Sequence, residues 1–223
     1  GKLATQTDDE GRRTQYYYDL DGFLNKEITD INNQNQKIIT YTNNHLGKPI
    51  QQIQYVQKGD IYGNTFGDTA ETTLITGYTY DQNGNLKTIK TPDQITTAYT
   101  YDNMDRQTSI SRPGLDEHGN RVTISEKTTY NGAGKPLTQT DARGLTTQYT
   151  YNPRGFLETI TDAQGGITAY RYDRGGRLIA EVSPNNYLAG AAWDSLNRTE
   201  YTYDTMDRLI TKQAINQDPE TCD

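Results

Sequence analysis

Cysteine is almost missing from this chain. The one copy, Cys222, lies in the polar tail Asp218-Pro219-Glu220-Thr221-Cys222-Asp223. A single thiol excludes an intrachain disulfide framework and any cysteine-rich metal site. Large apolar side chains are scarce too: one tryptophan, three phenylalanines and a hydrophobic share of 32% among 223 residues. Counting the 20 glycines raises that share to about 41%, against roughly 45–50% in an ordinary domain. Mean hydropathy is -0.94. Clustered positive charge is absent as well. Net charge is -7, the sequence pI is about 4.9, and no Lys/Arg block offers the phosphate-tracking surface that a nucleic-acid partner needs. No apolar run approaches the length of a membrane span.

Tyrosine is abundant, with 18 copies. It suits strands, and its apolar ring and polar tip suit sheets with wet faces. It recurs in the motif Tyr-x-Tyr-Asp-x-x-Gly-x-Leu, and internal repeats of this kind define the architecture. The copies are Tyr16-x-Tyr18-Asp19-x-x-Gly22, Tyr78-x-Tyr80-Asp81-x-x-Gly84, Tyr149-x-Tyr151-Asn152-x-x-Gly155, Tyr170-x-Tyr172-Asp173-x-x-Gly176 and Tyr201-x-Tyr203-Asp204, the last with Asp207 in the glycine place. Degenerate copies lie at Tyr41–Pro49, Tyr99-x-Tyr101-Asp102 and Thr128–Pro136. Asp81 to Asp102, Asn131 to Asn152 and Asn152 to Asp173 are each 21 residues apart, which sets the repeat length. Leu3 fits the tail of one further repeat.

A second turn motif, Thr-Asp-x-x-Gly, sits inside the repeat, as at Thr140–Gly144 and Thr161–Gly165. Two turns split 21 residues into two short segments whose Thr/Tyr alternation has the period of a strand. Each repeat is therefore expected to be one antiparallel β-hairpin, about sixteen strands in all in meander order, with negligible helix. Asp or Asn at i, Pro153 at i+1 and Gly155 at i+3 read as a type I turn. A left-handed glycine after that turn makes a bulged three-residue loop and sets Tyr172 opposite Leu178. One face then carries Thr168, Tyr170, Tyr172 and Leu178. Ala169, Arg171 and Arg177 fall on the other.

Residues 1–215 form the repeat segment, about eight repeats with insertions near 56–76, 106–127 and 187–196; residues 216–223 are a polar tail. Asp102 to Asp116 and Asp116 to Asn131 are each four longer than usual. That predicts a longer hairpin with its facing preserved. After Ser183 all ten extra residues follow the turn, so Tyr187–Leu196 is expected to be a loop. A Gly-rich excursion spans Lys58–Thr69.

These motifs resemble the Rhs/YD-repeat family, which includes polymorphic-toxin Rhs proteins, the B and C components of insecticidal toxin complexes, and the teneurins. The resemblance covers nearly the whole chain. It implies an all-β fold, a long curved sheet that spirals into a hollow β-shell. In bacterial members the shell encloses a toxic C-terminal segment; in teneurins it belongs to a cell-adhesion ectodomain. The closing signature of bacterial Rhs cores, with its autoproteolytic site, is not seen, and Asp218-Pro219 matches only a fragment of it.

Little else suggests chemistry. His45 and His118 sit in predicted turns without convergent partners. Calcium needs several oxygens converging in one loop, whereas each Asp-x-x-Gly turn offers one dependable Asp or Asn, better explained as an Asx-type turn bond. Asp8-Asp9-Glu10 reads as a solvated turn. The tyrosine ladder could stack on sugars, yet its recurrence in every repeat reads as structural. Trp193 and Tyr187, in the inserted loop, are candidates for an internal contact or a partner contact. No nucleophile–base pair is present, so no enzymatic activity and no cofactor are expected.

The expected function is a structural segment of a secreted or cell-surface shell that encapsulates a toxin or other cargo. The alternative is an adhesion or carbohydrate-binding module. Expected partners are other repeats of one large protein, a second copy through open edge strands, an encapsulated toxin polypeptide, or glycans. The chain is expected to be a fragment or an assembly member that self-associates or unfolds with little cooperativity when alone.

Overall fold

A computed structural model describes residues 3–30, 36–57 and 71–217. The Lys58–Thr69 excursion, Cys222 and the Asp218-Pro219 pair lie outside the described residues, and so does most of the tail. The described residues are all-β, with seventeen antiparallel strands. It divides into two bodies, residues 1–124 and 125–223.

The first body holds β1 (Leu3–Thr7), β2 (Arg13–Tyr18), β3 (Leu24–Asp30), β4 (Gln36–Asn43), β5 (Pro49–Gln57), β6 (Glu71–Tyr80), β7 (Leu86–Lys90), β8 (Thr96–Tyr101) and β9 (Gln107–Leu115). Each pairs with the next in a meander. β10 (Arg121–Tyr130) begins in the first body and ends in the second. There it leads into β11 (Pro136–Thr140), β12 (Thr146–Tyr151), β13 (Leu157–Thr161), β14 (Ile167–Tyr172), β15 (Leu178–Val182), β16 (Arg198–Tyr203) and β17 (Leu209–Ile215). These again pair in order. The seventeenth strand, one above the sequence expectation, is β1, the tail of the further repeat marked by Leu3. Two single turns of 3-10 helix, Pro184–Asn186 and Trp193–Ser195, are the only helical segments among the described residues.

The bulged register is observed. Tyr172 lies opposite Leu178 and Tyr203 opposite Leu209, with the ladder shifting one residue earlier. Gly155 has φ +82° and Gly176 +90°. In the Tyr-Asp turns the Asp or Asn side chain closes the loop. Asn152 Oδ1, for example, accepts from the backbone N–H groups of Arg154 and Phe156, both at 3.0 Å. β9 and β10 are nine and ten residues long against five or six in their short counterparts.

Strand alternation separates two faces. The residue between the two tyrosines points away from them, and its hydroxyl meets a partner on the next strand: Thr79 with Thr88 at 2.6 Å, Thr150 with Thr159 at 2.7 Å, Thr202 with Thr211 at 2.6 Å. Few side chains are fully covered. Ala169, Val182 and Leu196 form one buried cluster in the second body, with Tyr187, Ala191 and Trp193 packed against it. Ala169 and Val182 are cross-strand partners on the face away from the tyrosines. The inserted loop therefore folds over that face and supplies the apolar cover that the strands lack.

Candidate functional site

The motif residues converge at the turn edge, where each repeat is fastened to the one after it. In four repeats the second tyrosine donates its hydroxyl to a backbone carbonyl of the preceding repeat, two residues past that repeat's left-handed turn position. Tyr80 reaches Pro49 O at 2.8 Å, Tyr101 reaches Leu86 O at 2.9 Å, Tyr151 reaches Pro136 O at 2.9 Å and Tyr203 reaches Leu178 O at 2.8 Å. In the degenerate repeat Asn43 takes the tyrosine's place and donates Nδ2 to Leu24 O at 2.7 Å.

The first tyrosine makes a second fastening. Tyr16, Tyr78 and Tyr149 donate to the Oε1 atoms of Gln6, Gln52 and Gln139, and Tyr201 donates to Glu181 Oε2. Each acceptor lies three residues beyond the leucine or proline that begins the preceding strand. Where that place holds Ile89 or Ile160 the side chain offers no such acceptor.

A third fastening comes from the residue directly after the left-handed position. It covers the next repeat's second tyrosine and left-handed turn position. Lys48 lies 5.4 Å over the Tyr80 ring, Lys135 lies 5.2 Å over Tyr151, and Arg177 lies 5.3 Å over Tyr203. Such cation–π contacts contribute about 0.5–1 kcal/mol at exposed sites. Phe156 stacks on Tyr172 at 5.1 Å. The two lysines donate to the carbonyls of Gly84 and Gly155. A Cβ at Gly176 would lie 2.5 Å from Phe156 Cζ, and one at Gly47 would collide with the Phe23 ring. Glycine is thus needed twice, for its positive φ and for the seat it leaves open.

The seat explains the exceptions. Asp105 and Asp207 occupy the glycine place with φ +60° and +62°. Asp105 accepts from Asn85 Nδ2 at 2.6 Å and Asp207 accepts from Arg177 Nη1 at 2.7 Å. At these two places a side-chain donor in one repeat is met by a carboxylate in the next. The position after glycine and the Gln/Glu place were not singled out in the sequence. Their signal was present in the succession Phe23–Gly47, Lys48–Gly84, Asn85–Asp105, Phe156–Gly176 and Arg177–Asp207. The expectation that Arg177 belongs with Ala169 and Arg171 on the far face is corrected: the bulge twists its backbone, and the guanidinium turns to the Tyr203 ring.

Electrostatics follow from this packing. Burial, reinforced by the Glu27 carboxylate to which it hydrogen-bonds, pushes the Tyr41 phenol up to about 12. Burial likewise raises Tyr80, Tyr101 and Tyr151. The folded chain keeps phenolic protons that the unfolded chain releases near pH 10, so this stabilisation is present below pH 10 and lost as pH climbs toward 12. Denaturant midpoints are expected to fall between pH 9 and pH 11.5, and less steeply in Tyr41→Phe; parallel curves for the two proteins would refute the assignment. Turn carboxylates work in the opposite direction. The Arg177 side chain bonded to Asp173 and the Arg208 N–H bonded to Asp204 hold those groups below the usual carboxylate range, so their contribution is lost in acid.

The remaining candidates are placed as follows. His118 is exposed, with Nε2 3.5 Å from Glu117 Oε1, and His45 is exposed at a turn. Asp8 accepts from the Glu10 and Arg12 N–H groups and from Arg12 Nε, closing its own turn. Tyr18 and Tyr99 are half-buried in β2 and β8. Trp193 and Tyr187 pack on the internal cluster, with Arg171 5.9 Å over the Trp193 ring. Arg198 ties the loop down by donating to the carbonyls of Trp193 and Leu196, both at 3.1 Å.

Hairpins stacked in register through recurring fastenings define an all-β repeat protein. The RHS Repeat family model matches residues 80–117, 130–167 and 155–187. The same turn geometry at Asp19 and Asn44 extends the pattern beyond those segments. Over those segments the chain is similar to the RHS Repeat family. Among solved structures it resembles that of TcdB2-TccC3-Cdc42, with TM-score 0.53 and 17% identity over 94% of this chain and 13% of the other. It also resembles a Photorhabdus luminescens Tc holotoxin pore carrying a TccC3 mutation, with TM-score 0.52 and 17% identity over 94% of this chain and 12% of the other. The likeness is one of fold, and the chain spans about an eighth of the solved chains it matches. Comparison with curated proteins gave no match.

Proposed function

We propose that this chain is a stretch of wall in a larger exported YD-repeat protein of the toxin-complex type, where stacked repeats form a shell around a toxin polypeptide or other cargo. Its role is mechanical and not catalytic. The observation that carries this reading is the fastening itself. Each described seat holds the following repeat in one register, which suits a continuous surface better than a set of independent binding modules. The fold likeness to TcdB2-TccC3 supports the same reading.

The test is protease protection in the larger polypeptide that carries these repeats. Replacing Tyr151 and Tyr203 with alanine removes two hydroxyl bonds and the two rings that receive Lys135 and Arg177. Cleavage of the enclosed segment is expected to accelerate about tenfold or more, since the loss exceeds 1.4 kcal/mol. The milder Tyr151→Phe/Tyr203→Phe pair, which loses only the hydroxyl bonds at about 1 kcal/mol each, should fall between. Cleavage at the unmodified rate in both variants would sink the proposal.

The adhesion or glycan-binding reading has less support. A sugar would stack on open aromatic faces, whereas the rings of Tyr80, Tyr151 and Tyr203 are covered by cations and Tyr172 by Phe156.

A further inference from the structure

We propose that Asn131 is a self-modification site: the amide nitrogen of Gly132 attacks the Asn131 side-chain carbonyl, closes a cyclic imide and expels ammonia. The chemistry needs only the turn and a water molecule, and it does not rest on enclosure of a cargo.

Asn131 opens the Tyr-Asp turn of its repeat. Its Oδ1 accepts from the backbone N–H groups of Ala133 and Lys135, both at 2.9 Å. Those donors fix the turn, and they also face the atom on which negative charge gathers when Cγ is attacked. Preorganised N–H groups at a developing oxyanion lower the barrier to acyl transfer. The nucleophile belongs to the adjoining residue, which removes the entropic cost of bringing it there. Gly132 is exposed, and its N–H has no acceptor among the described residues. It carries no Cβ to crowd the approach.

Other asparagines show which feature matters. Asn44 and Asn152 make the same pair of bonds, to the N–H groups of Leu46 and Lys48 and of Arg154 and Phe156. The next residue differs. His45 adds a side chain beside the nucleophilic nitrogen, and Pro153 has no N–H to give up. Asp141 stands in the equivalent place of a Thr-Asp turn, where the Leu145 N–H holds its carboxyl below the usual carboxylate range; an ionised carboxylate resists attack. The other Asn-Gly pair, Asn83-Gly84, is tied differently. Gly84 N–H donates to Asp81 O at 3.1 Å, and Asn83 Nδ2 donates to Asp105 Oδ1 at 2.8 Å.

In the reaction the bond from Gly132 N to Asn131 Cγ forms and the Cγ–Nδ2 bond breaks. The Gly132 proton passes to hydroxide or water, and Nδ2 takes a proton from solvent as it leaves. Water then opens the imide at either carbonyl, with no change of oxidation state. One product has aspartate at position 131 and keeps the turn, since Asp141 accepts from the N–H groups of Arg143 and Leu145 in the same way. The other is isoaspartate, whose side-chain methylene joins the backbone. It lengthens the bulged turn that sets Tyr130 opposite Pro136 and places Lys135 over Tyr151. One junction between repeats thus loosens with age while the others hold.

The larger polypeptide that carries these repeats is incubated at mildly alkaline pH, and ammonia loss is followed by peptide mass mapping. Asn131 is expected to react at least about tenfold faster than Asn83, a modest share of what two oxyanion donors can supply. In guanidinium chloride, where both are plain Asn-Gly pairs, the contrast should collapse. Gly132→Pro should abolish the reaction and keep the turn. A Cβ there meets nothing within 4 Å, and proline suits this place in a type I turn, as Pro153 does in the following repeat. Pro153→Gly should carry the reaction to Asn152. Equal rates at Asn131 and Asn83 in the native polypeptide, or a faster Asn83, would overturn the assignment. So would an Asn152 that stays intact in the Pro153→Gly variant, which keeps the same two N–H donors.

Discussion

Gly176→Ala is expected to destabilise the second body by about 3 kcal/mol, whereas Gly144→Ala should cost only about 1 kcal/mol. Both glycines lie in the left-handed region, at φ +90° and +83°, where a Cβ costs roughly 1–2 kcal/mol in helical reference states and somewhat less at an isolated turn. The difference is the neighbour. A Cβ at Gly144 would meet nothing within 4 Å, while one at Gly176 would lie 2.5 Å from Phe156 Cζ and 2.9 Å from Cε1. Phe156 must then leave its stack on Tyr172, losing about 0.5–1.5 kcal/mol, or the turn must move, at about 1–3 kcal/mol for overpacking. Urea midpoints of both variants measure the contrast. Phe156→Ala should recover more than 1 kcal/mol in the Gly176→Ala background, as expected for residues in contact. Equal losses at the two glycines would show that only backbone strain matters and that the seat has no energetic role.

The second large effect is expected at the loop. Leu196→Ala should cost about 2–4 kcal/mol, the usual range for truncating a buried leucine. Leu196 is buried with Ala169 and Val182, and Trp193 and Tyr187 close over them. Few residues in this protein are buried, so one leucine is a large part of the local core. Leu188, in the same loop, is 66% exposed, and Leu188→Ala should change stability by less than about 0.5 kcal/mol. Loss of Leu196 should also free the Trp193 ring. A red shift of its fluorescence before global unfolding is the accompanying signature, and its absence would mean that the loop is held by Arg198 alone.

Much of this architecture was legible because the repeat carries its own register. Asp173, Gly176 and Leu178 fix the bulge through turn chemistry within six residues, and the observed pairing of Tyr172 with Leu178 needs nothing more distant. The fastenings were harder to read. The contact of Lys48 with Tyr80 spans an insertion, and that of Arg177 with Asp207 spans another, so no local window contains both partners. Asp207 in the glycine place was visible as an exception, but its reason lies thirty residues earlier. For Trp193 the sequence left internal packing and partner contact open, since an inserted loop has no period from which to read its direction.

The second-tyrosine bonds and the seats described lie beside the Tyr-Asp turns. The described insertions lie at the opposite turns: the lengthened β9–β10 hairpin ends at the Asp116 turn, and the Tyr187–Leu196 loop follows Ser183. A new segment at a Tyr-Asp turn would break a hydroxyl bond and a seat at once. At the opposite turns it costs mainly loop closure, about 0.6 kcal/mol for each doubling of length. Lineages can therefore diversify along one hem of the sheet while the other keeps count. An engineer who wishes to graft an epitope or a recognition loop has the same choice already made, with Asp141–Gly144 and Asp162–Gly165 as the permissive sites.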